Sequence, residues 1–428
     1  MRTLGLAFAL AVLIVQPVLA TERWPYGDAA ETAYRKGDFA GALAALRGEL
    51  TKCEDSEPAA DECLTLLFSL SNMARHAGDS KSSQDYARRA LALATRTLSA
   101  WHPDFARSWD TLASSINAQG RYAEAEPLYR KALALREAAL PAGHPSIALS
   151  WSNLAVNVNM QGRYTEAEPL YRKALALYEA ALRAGHPDIA ASWNNLASNI
   201  SAQGRYTEAE PLFRKALALR EAALPAGHPD IATSWNNLAV SINAQGRFAE
   251  ADRLYRKALA LYEAALPSGH PNIALSWNNL AVNVNMQGRY AEAEPLYRKA
   301  LALREAALPA GHPEIALSWH HLAVNLGAQG RYAEAEPLFR KALGIRDGLL
   351  RSHPDRIDGY WAMAANLQVQ RKDAADVRSL YREAGRGVVD RVASFRDFGP
   401  AAQGELRRYR PIYTGQIWAA WDLAATAR

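Results

Sequence analysis

At 428 residues, with 49% hydrophobic and 22% charged positions, the chain is too apolar and too evenly charged to be wholly disordered. The net charge of +5 is thinly spread: residues 145–186 set Arg163, Arg172, Lys173 and Arg183 against Glu166, Glu168 and Glu179. Nucleic-acid binders gather basic residues on one face or stripe, so no nucleic-acid partner is expected.

Residues 1–20 have the layout of a secretory signal peptide. Arg2 is a short positive region, Leu4 to Val15 an apolar one, and Val18-Leu19-Ala20 puts small residues at the cleavage positions. Twelve apolar-rich residues are short for a bilayer span. An exported chain, periplasmic or secreted, is therefore expected to start near Thr21, with no later membrane span. In an oxidising compartment Cys53 and Cys63, the two cysteines present, are expected to form a disulfide. Closing so short a loop contributes roughly 2–3 kcal/mol in the chain-entropy model. Residues 21–100 read as an N-terminal helical cap with degenerate repeats. Ala33 to Leu46, around Lys36-Gly37-Asp38-Phe39, suggests a helix pair; Leu67 stands one period before Trp109, and Gly78 stands where a turn belongs.

From 101 to 384 the chain is periodic. Trp109, Trp151, Trp193, Trp235, Trp277, Trp319 and Trp361 recur every 42 positions. In residues 101–142, His102-Pro103-Asp104 starts a helix, since proline suits the first helical position and an acid suits the positive end of the dipole. Phe105, Trp109, Leu112, Ala113 and Ile116 form its apolar stripe. Gln119-Gly120-Arg121 breaks the run, with Gly120 placed for a left-handed turn. A second helix from about Tyr122 carries Ala125, Leu128, Tyr129, Ala132, Leu133 and Leu135, with Pro127 near its first turn. Pro141-Ala142-Gly143 ends it before the next His144-Pro145. Neither apolar stripe suffices alone, and stacking buries both. Residues 145–184 and 271–310 differ only at Ser146/Asn272, Ser152/Asn278, Thr165/Ala291, Tyr178/Arg304 and Arg183/Pro309.

Trp109, Leu112, Ala113, Ile116, Ala125, Tyr129 and Ala132 stand at the spacings of the tetratricopeptide signature. The longer 42-residue unit, with Trp-Asn-Asn-Leu-Ala and Glu-Ala-Glu-Pro-Leu-Tyr-Arg-Lys-Ala-Leu, resembles the repeats of kinesin light chains and their bacterial relatives over roughly residues 64–384. The resemblance implies an all-α, right-handed superhelical solenoid of antiparallel helix pairs with helical caps. It also implies that the seven tryptophans pack in the core between the helices of their own repeats. They then would not act as stacking platforms for bases or sugars.

In this family the first helices line a concave face. Asn153, Asn195, Asn237 and Asn279 follow the tryptophan by two, with Thr111 and His321 at the same place in outer repeats; Asn117, Asn159, Asn243 and Asn285 follow it by eight. Asparagine is not favoured inside helices. The resemblance therefore implies that these carboxamides, each offering donor and acceptor, bind the backbone of an extended peptide. Solvated surface or inter-repeat bonding is the alternative.

Catalysis finds no support: every Gln-Gly-Arg glycine is a helix–helix turn, and no nucleophile elbow or zinc signature is present. His102, His144, His186, His228, His270 and His312 stand on the order of 8–10 Å apart from repeat to repeat, whereas zinc needs ligands about 2 Å from one centre. They read as helix-start residues; the adjacent His320-His321 replace an Asn-Asn pair. No metal or cofactor is expected. In the tail, 385–428, Phe395-Arg-Asp-Phe, Glu405-Leu-Arg-Arg-Tyr-Arg-Pro and Gln416-Ile-Trp-Ala-Ala-Trp resemble the segment preceding caspase-like CHAT domains. The preferred reading of the tail's present role is a plain amphipathic capping helix, with Trp418 and Trp421 spaced three apart to cover the last repeat. The expected function is an exported protein–protein scaffold holding a peptide or protein segment. The alternatives are a substrate-recruiting remnant or partner subunit of a CHAT-type protease system, and a structural spacer or array that self-associates through its repeats.

Overall fold

The structure, a computed structural model, describes residues 28–35, 39–55, 60–76, 79–99, 101–308, 310–349, 351–393 and 400–426. The expected signal segment, Gly78, Phe395 and Phe398 lie outside these residues, as does the Cys53 side chain. Among the described residues are nineteen helices and no strand, and no helix is long and apolar enough to cross a membrane.

Four helices precede the regular array: α1 (Asp28–Arg35), α2 (Phe39–Asp55), α3 (Ala60–His76) and α4 (Ser80–Thr97). Seven pairs follow, each an inner helix and an outer helix. They are α5 (Pro103–Asn117) with α6 (Tyr122–Ala139), α7 (Pro145–Met160) with α8 (Tyr164–Ala181), and α9 (Pro187–Ala202) with α10 (Tyr206–Ala223). Next come α11 (Pro229–Ala244) with α12 (Phe248–Ala265), and α13 (Pro271–Met286) with α14 (Tyr290–Ala307). The sixth and seventh are α15 (Pro313–Ala328) with α16 (Tyr332–Arg346), and α17 (Pro354–Val369) with α18 (Ala374–Ala393). A single helix, α19 (Pro400–Thr426), packs on α18.

Local chemistry sets these boundaries. Each inner helix has proline at its first position, and the preceding histidine is its N-cap. His144 Nδ1 accepts the backbone N–H of Ser146 at 3.1 Å, and His186 Nδ1 that of Asp188 at 3.2 Å. Histidine here does what serine or aspartate does in most caps. The same arrangement recurs at His102, His228, His270, His312 and His353. The expected helix-start role of the histidine ladder is thus given a mechanism. At the other end Gly162 takes φ +75°, a left-handed conformation without penalty for glycine. Arg163 N then reaches back to Val158 O at 3.2 Å, tying off the helix. Arg163 also grips Glu166, in the first turn of α8, with two nitrogens.

The core is built of small and large layers. Ala167 and Ala174 let α7 and α8 approach, and Tyr171, 2% exposed, fills the space between them. The two layers differ in burial. Helix α9 buries twelve of its sixteen residues, α10 only four of eighteen. An amphipathic helix would keep one open face. The inner helices keep almost none, so their polar side chains must find partners inside the array.

Candidate functional site

The asparagine rows occupy this inner layer. Asn195, Asn237, Asn279, Asn117, Asn159, Asn243 and Asn285 are all buried; Asn153 is half-buried. Five of the eight bond to other repeats. Asn237 Nδ2 donates to Asn194 Oδ1 at 2.9 Å, and Asn279 Nδ2 to Asn236 Oδ1 at 3.1 Å. His321 occupies the next step, its Nδ1 2.9 Å from Asn278 Oδ1. Eight residues beyond each tryptophan, Asn117, Asn159 and Asn285 accept from Asn157, Asn199 and Asn325, each at 2.8 Å. For these five the structure shows the inter-repeat bonding alternative rather than an open peptide groove. Burial of an amide is costly unless it is bonded, and a carboxamide, carrying both donor and acceptor, suits such bonds between repeats.

A second relay runs beside the first. Asn157 also donates to the carbonyl of Tyr122, at 3.0 Å, and receives Gln161 Nε2 at 2.9 Å. Glu126 of the preceding repeat then accepts from Gln161 at 2.9 Å, Arg163 at 2.6 Å and Arg130 at 2.7 Å. Burial alone would raise the Glu126 carboxyl. The hydrogen bonds from Gln161, Arg130 and Arg163 outweigh it and hold the group below the ordinary carboxylate range. Glu168, Glu210 and Glu294 repeat the arrangement with the same balance.

The relay fails at one joint. Asp252 stands where the other repeats have glutamate, one methylene shorter, and Gln287 turns instead to the Asn283 carbonyl. At this joint both amide atoms of Asn283 are buried without a hydrogen-bond partner among the described residues, and Asn243 lies beside the buried Tyr255 hydroxyl instead of bonding Asn283.

The tryptophans divide. Trp361 is 6% exposed, in the core as expected. Trp109, Trp151, Trp193, Trp235, Trp277 and Trp319 are only partly covered. Each carries a lysine ammonium from the outer helix of its own repeat. Lys173 lies 4.4 Å from the Trp151 ring centre, Lys215 4.6 Å from Trp193 and Lys299 3.7 Å from Trp277. Lys131, Lys257 and Lys341 complete the set at 4.6, 5.8 and 5.4 Å. Such contacts stabilise by about 0.5–1 kcal/mol at accessible sites. The edges of Trp235 and Trp319 donate to Glu221 and Glu305 of the preceding repeats, at 3.2 and 3.0 Å. Trp151, Trp193, Trp235 and Trp277 pack partly buried against the hydrophobic core, and each of the six indoles also carries a cation, forming a half-open Trp–Lys row along the array.

Two features were not anticipated. Arg136, Arg220, Arg304 and Arg346 are buried, sharing one repeat position with Tyr178 and Tyr262. Arg304 bonds Ser318 Oγ at 2.7 Å and Glu314 at 2.6 Å, while Tyr262 bonds Thr233 at 2.6 Å. Alternation of arginine and tyrosine at one position was the available signal. The array also meets itself. His353 Nδ1 caps α17, so its Nε2 carries the proton and donates to Met160 O at 3.1 Å. Arg391 donates to Gly162 O at 2.8 Å and lies 5.4 Å over the Tyr164 ring. The seventh repeat thus rests on the turn of the second. Among the described residues, no group of three or more His, Cys, Asp or Glu side chains is placed to hold a metal ion.

The tetratricopeptide-repeat family profiles match residues 104–180, 146–222, 188–264 and 230–306, and a second profile of the same family matches 316–355. No curated protein matches at a significant level. A solved Podosopora anserina protein, described as a kinesin light chain with nearly identical TPR-like repeats, is 30% identical. That match covers 47% of this chain and 96% of the other, with TM-score 0.38. A Rap protein complexed with Competence and Sporulation Factor has TM-score 0.54 at 13% identity, covering 84% and 97% of the two chains. The apo form of the quorum sensor NprR from B. thuringiensis has TM-score 0.54 at 16% identity, covering 74% and 85%.

Proposed function

The chain belongs to the tetratricopeptide-repeat family, and from that premise we propose that it is an exported protein-binding scaffold whose recognition surface is the Trp–Lys row. The observation that carries the reading is the repetition of one half-open indole under one lysine at six successive steps. Five of the eight row asparagines, by contrast, bond between repeats. A lysine resting on an indole can swing to a carboxylate and leave the ring face for an apolar contact. Repeats stand on the order of 10 Å apart, the reach of about three residues of extended chain. The partner that fits is an extended protein segment with acidic residues at about every third position. Burial of aromatic anchors would supply the affinity and the lysines the selectivity. The Rap structure that shares this fold was solved with a bound factor, which supports a binding role for such a superhelix.

Export rests on the Arg2, Leu4–Val15 and Ala20 pattern, and the mature protein should begin at Thr21 by N-terminal sequencing. The Cys53–Cys63 disulfide belongs to the same reading; Cys63 is buried, and there is no free cysteine among the described residues. The binding surface is tested by capturing partners from the exported fraction on wild type and on a Lys173→Glu/Lys215→Glu/Lys257→Glu/Lys299→Glu variant of unchanged helicity. Loss of the bound partners is expected. Equal recovery by both proteins refutes the Trp–Lys row as the recognition surface.

A further inference from the structure

Helix α19 closes the array with one face and leaves the other open. Its buried face is Tyr409, Ile412, Gly415 and Ala419. Gly415 lies so close to Tyr381 of α18 that a Cβ there would stand 2.3 Å from the ring. The helix is therefore seated tightly and its opposite face is fixed. That face carries Arg407, Arg410, Thr414, Ile417, Trp418 and Trp421, all exposed. At 3.6 residues per turn they fall within an arc of about 100°, almost opposite the buried face. Ile417, Trp418 and Trp421 are 61, 62 and 73% exposed, among the most open large apolar side chains described. The expectation that the two tryptophans cover the last repeat is therefore corrected: Tyr409, Ile412 and Ala419 do so.

The order of residues along this stripe is informative. Its first half is basic, its second half aromatic, and the small Thr414 stands midway. Arg407 and Trp421 lie equally far from Thr414, seven residues on either side; Arg410 and Trp418 lie four residues on either side. From this symmetry we propose that α19 is a homodimer interface, in which two copies pair antiparallel about a two-fold axis at Thr414. In that arrangement Arg407 of each copy faces Trp421 of the other, and Arg410 faces Trp418. The result is four arginine–indole contacts from one self-complementary patch, as an isologous interface requires. Thr414 meeting its own copy permits the helix axes to approach to about 8–10 Å. A bilayer surface fits less well. An interfacial helix sinks apolar residues to one depth along its whole length, whereas here charge and aromatic surface are separated end to end. One helix face on each side is a small contact by the standards of stable complexes, so a dimer in the micromolar range is expected.

The test is sedimentation velocity of the purified full chain over about 1–100 micromolar, with wild type, Trp418→Ser/Trp421→Ser and Arg407→Glu/Arg410→Glu. Wild type should dimerise. The tryptophan variant should weaken the dimer at least about 100-fold, since each loss counts twice by symmetry, and the arginine variant about tenfold or more. All substitutions lie on the exposed face, so circular dichroism should show unchanged helicity and melting. The register is checked separately: Thr414→Cys should cross-link two copies under mild oxidation, and Arg382→Cys, exposed on α18, should not. Three results overturn the proposal. They are a monomer at every concentration, a dimer that survives both double substitutions, and a monomer that instead binds vesicles of anionic phospholipid through Trp418 and Trp421.

Discussion

The substitution His321→Asn restores to the sixth repeat the residue that the third, fourth and fifth carry at this place. His321 is 4% exposed, with Nδ1 on Asn278 Oδ1. Since a carboxamide oxygen only accepts, the ring carries a proton on Nδ1, and its burial favours the neutral form. Burial, reinforced by Arg304 and Arg346, pushes its pKa down to about 3, against about 6.5 in an unfolded chain. The folded protein therefore binds this proton less readily than the unfolded one. The stability that depends on the neutral ring is complete above about pH 6.5 and is lost as the pH falls toward 3. At pH 5 the unfolded imidazole is mostly charged and the folded one is not, a difference of about 2 kcal/mol. Asparagine would keep the bond to Asn278, as Asn279 does to Asn236, and would not titrate. Urea unfolding of both proteins at pH 7 and pH 5 measures the effect. Wild type should lose about 2 kcal/mol more than His321→Asn between the two pH values. Burial also lowers the pKa of His270, His312, His320 and His353, so both proteins should share a further acid loss, and the difference reports His321 together with its coupling to the adjacent His320. An identical loss in the two would refute the claim that this histidine is held neutral by its site.

Two other substitutions probe the joints. Gly162→Ala must adopt φ +75° and would press its Cβ to 2.9 Å from both Pro354 and Arg391, whereas at Gly204, φ +79°, nothing lies within 4 Å. Gly204→Ala should cost about 1–2 kcal/mol from conformation alone, and Gly162→Ala visibly more in the same urea melts; equal costs would mean that the second and seventh repeats do not touch. Asp252→Glu should let Gln287 and Arg289 bond across the fourth joint as Gln245 and Arg247 do to Glu210. A gain of about 0.5–1.5 kcal/mol, with slower amide exchange in α11 to α14, is the expected outcome; faster exchange there would contradict the role given to this position.

Helix boundaries were legible because they are written in local chemistry. Pro103 marks where α5 begins, Gly120 where it has ended and Tyr122 where α6 begins, and no long-range contact is needed to read them. The asparagines were visible as an anomaly, but their direction was not. Whether Asn159 faces solvent or Asn199 depends on how closely consecutive inner helices stack, which a single repeat does not encode. The tryptophan row was legible only in part, for a related reason. Position within a repeat fixes that Trp193 lies between helices, while its remaining open face depends on a lysine 22 residues later and on the preceding outer helix. Contacts from Arg391 to Gly162 were beyond any local reading, since they arise only from the rotation accumulated over five repeats. The face of α19 was legible as helical spacing and gained its meaning only when Gly415 and Tyr381 fixed which side is covered.

The meeting of the second and seventh repeats bears on how such an array can change length. Nearly identical coding units are prone to unequal recombination, which adds or removes whole units. A closure that demanded a unique pair of residues would be destroyed by one such event. Here the receiving surface is a Gln-Gly-Arg-Tyr turn, and the turns at Gly120 and Gly204 have the same sequence and left-handed glycine as the one at Gly162. Insertion of one 42-residue unit between the partners would move His353 and Arg391 onto the next turn, where the same carbonyls and ring await them. Closure is therefore a property of the superhelical pitch, conserved under changes of copy number that would scramble the register of an ordinary globular core.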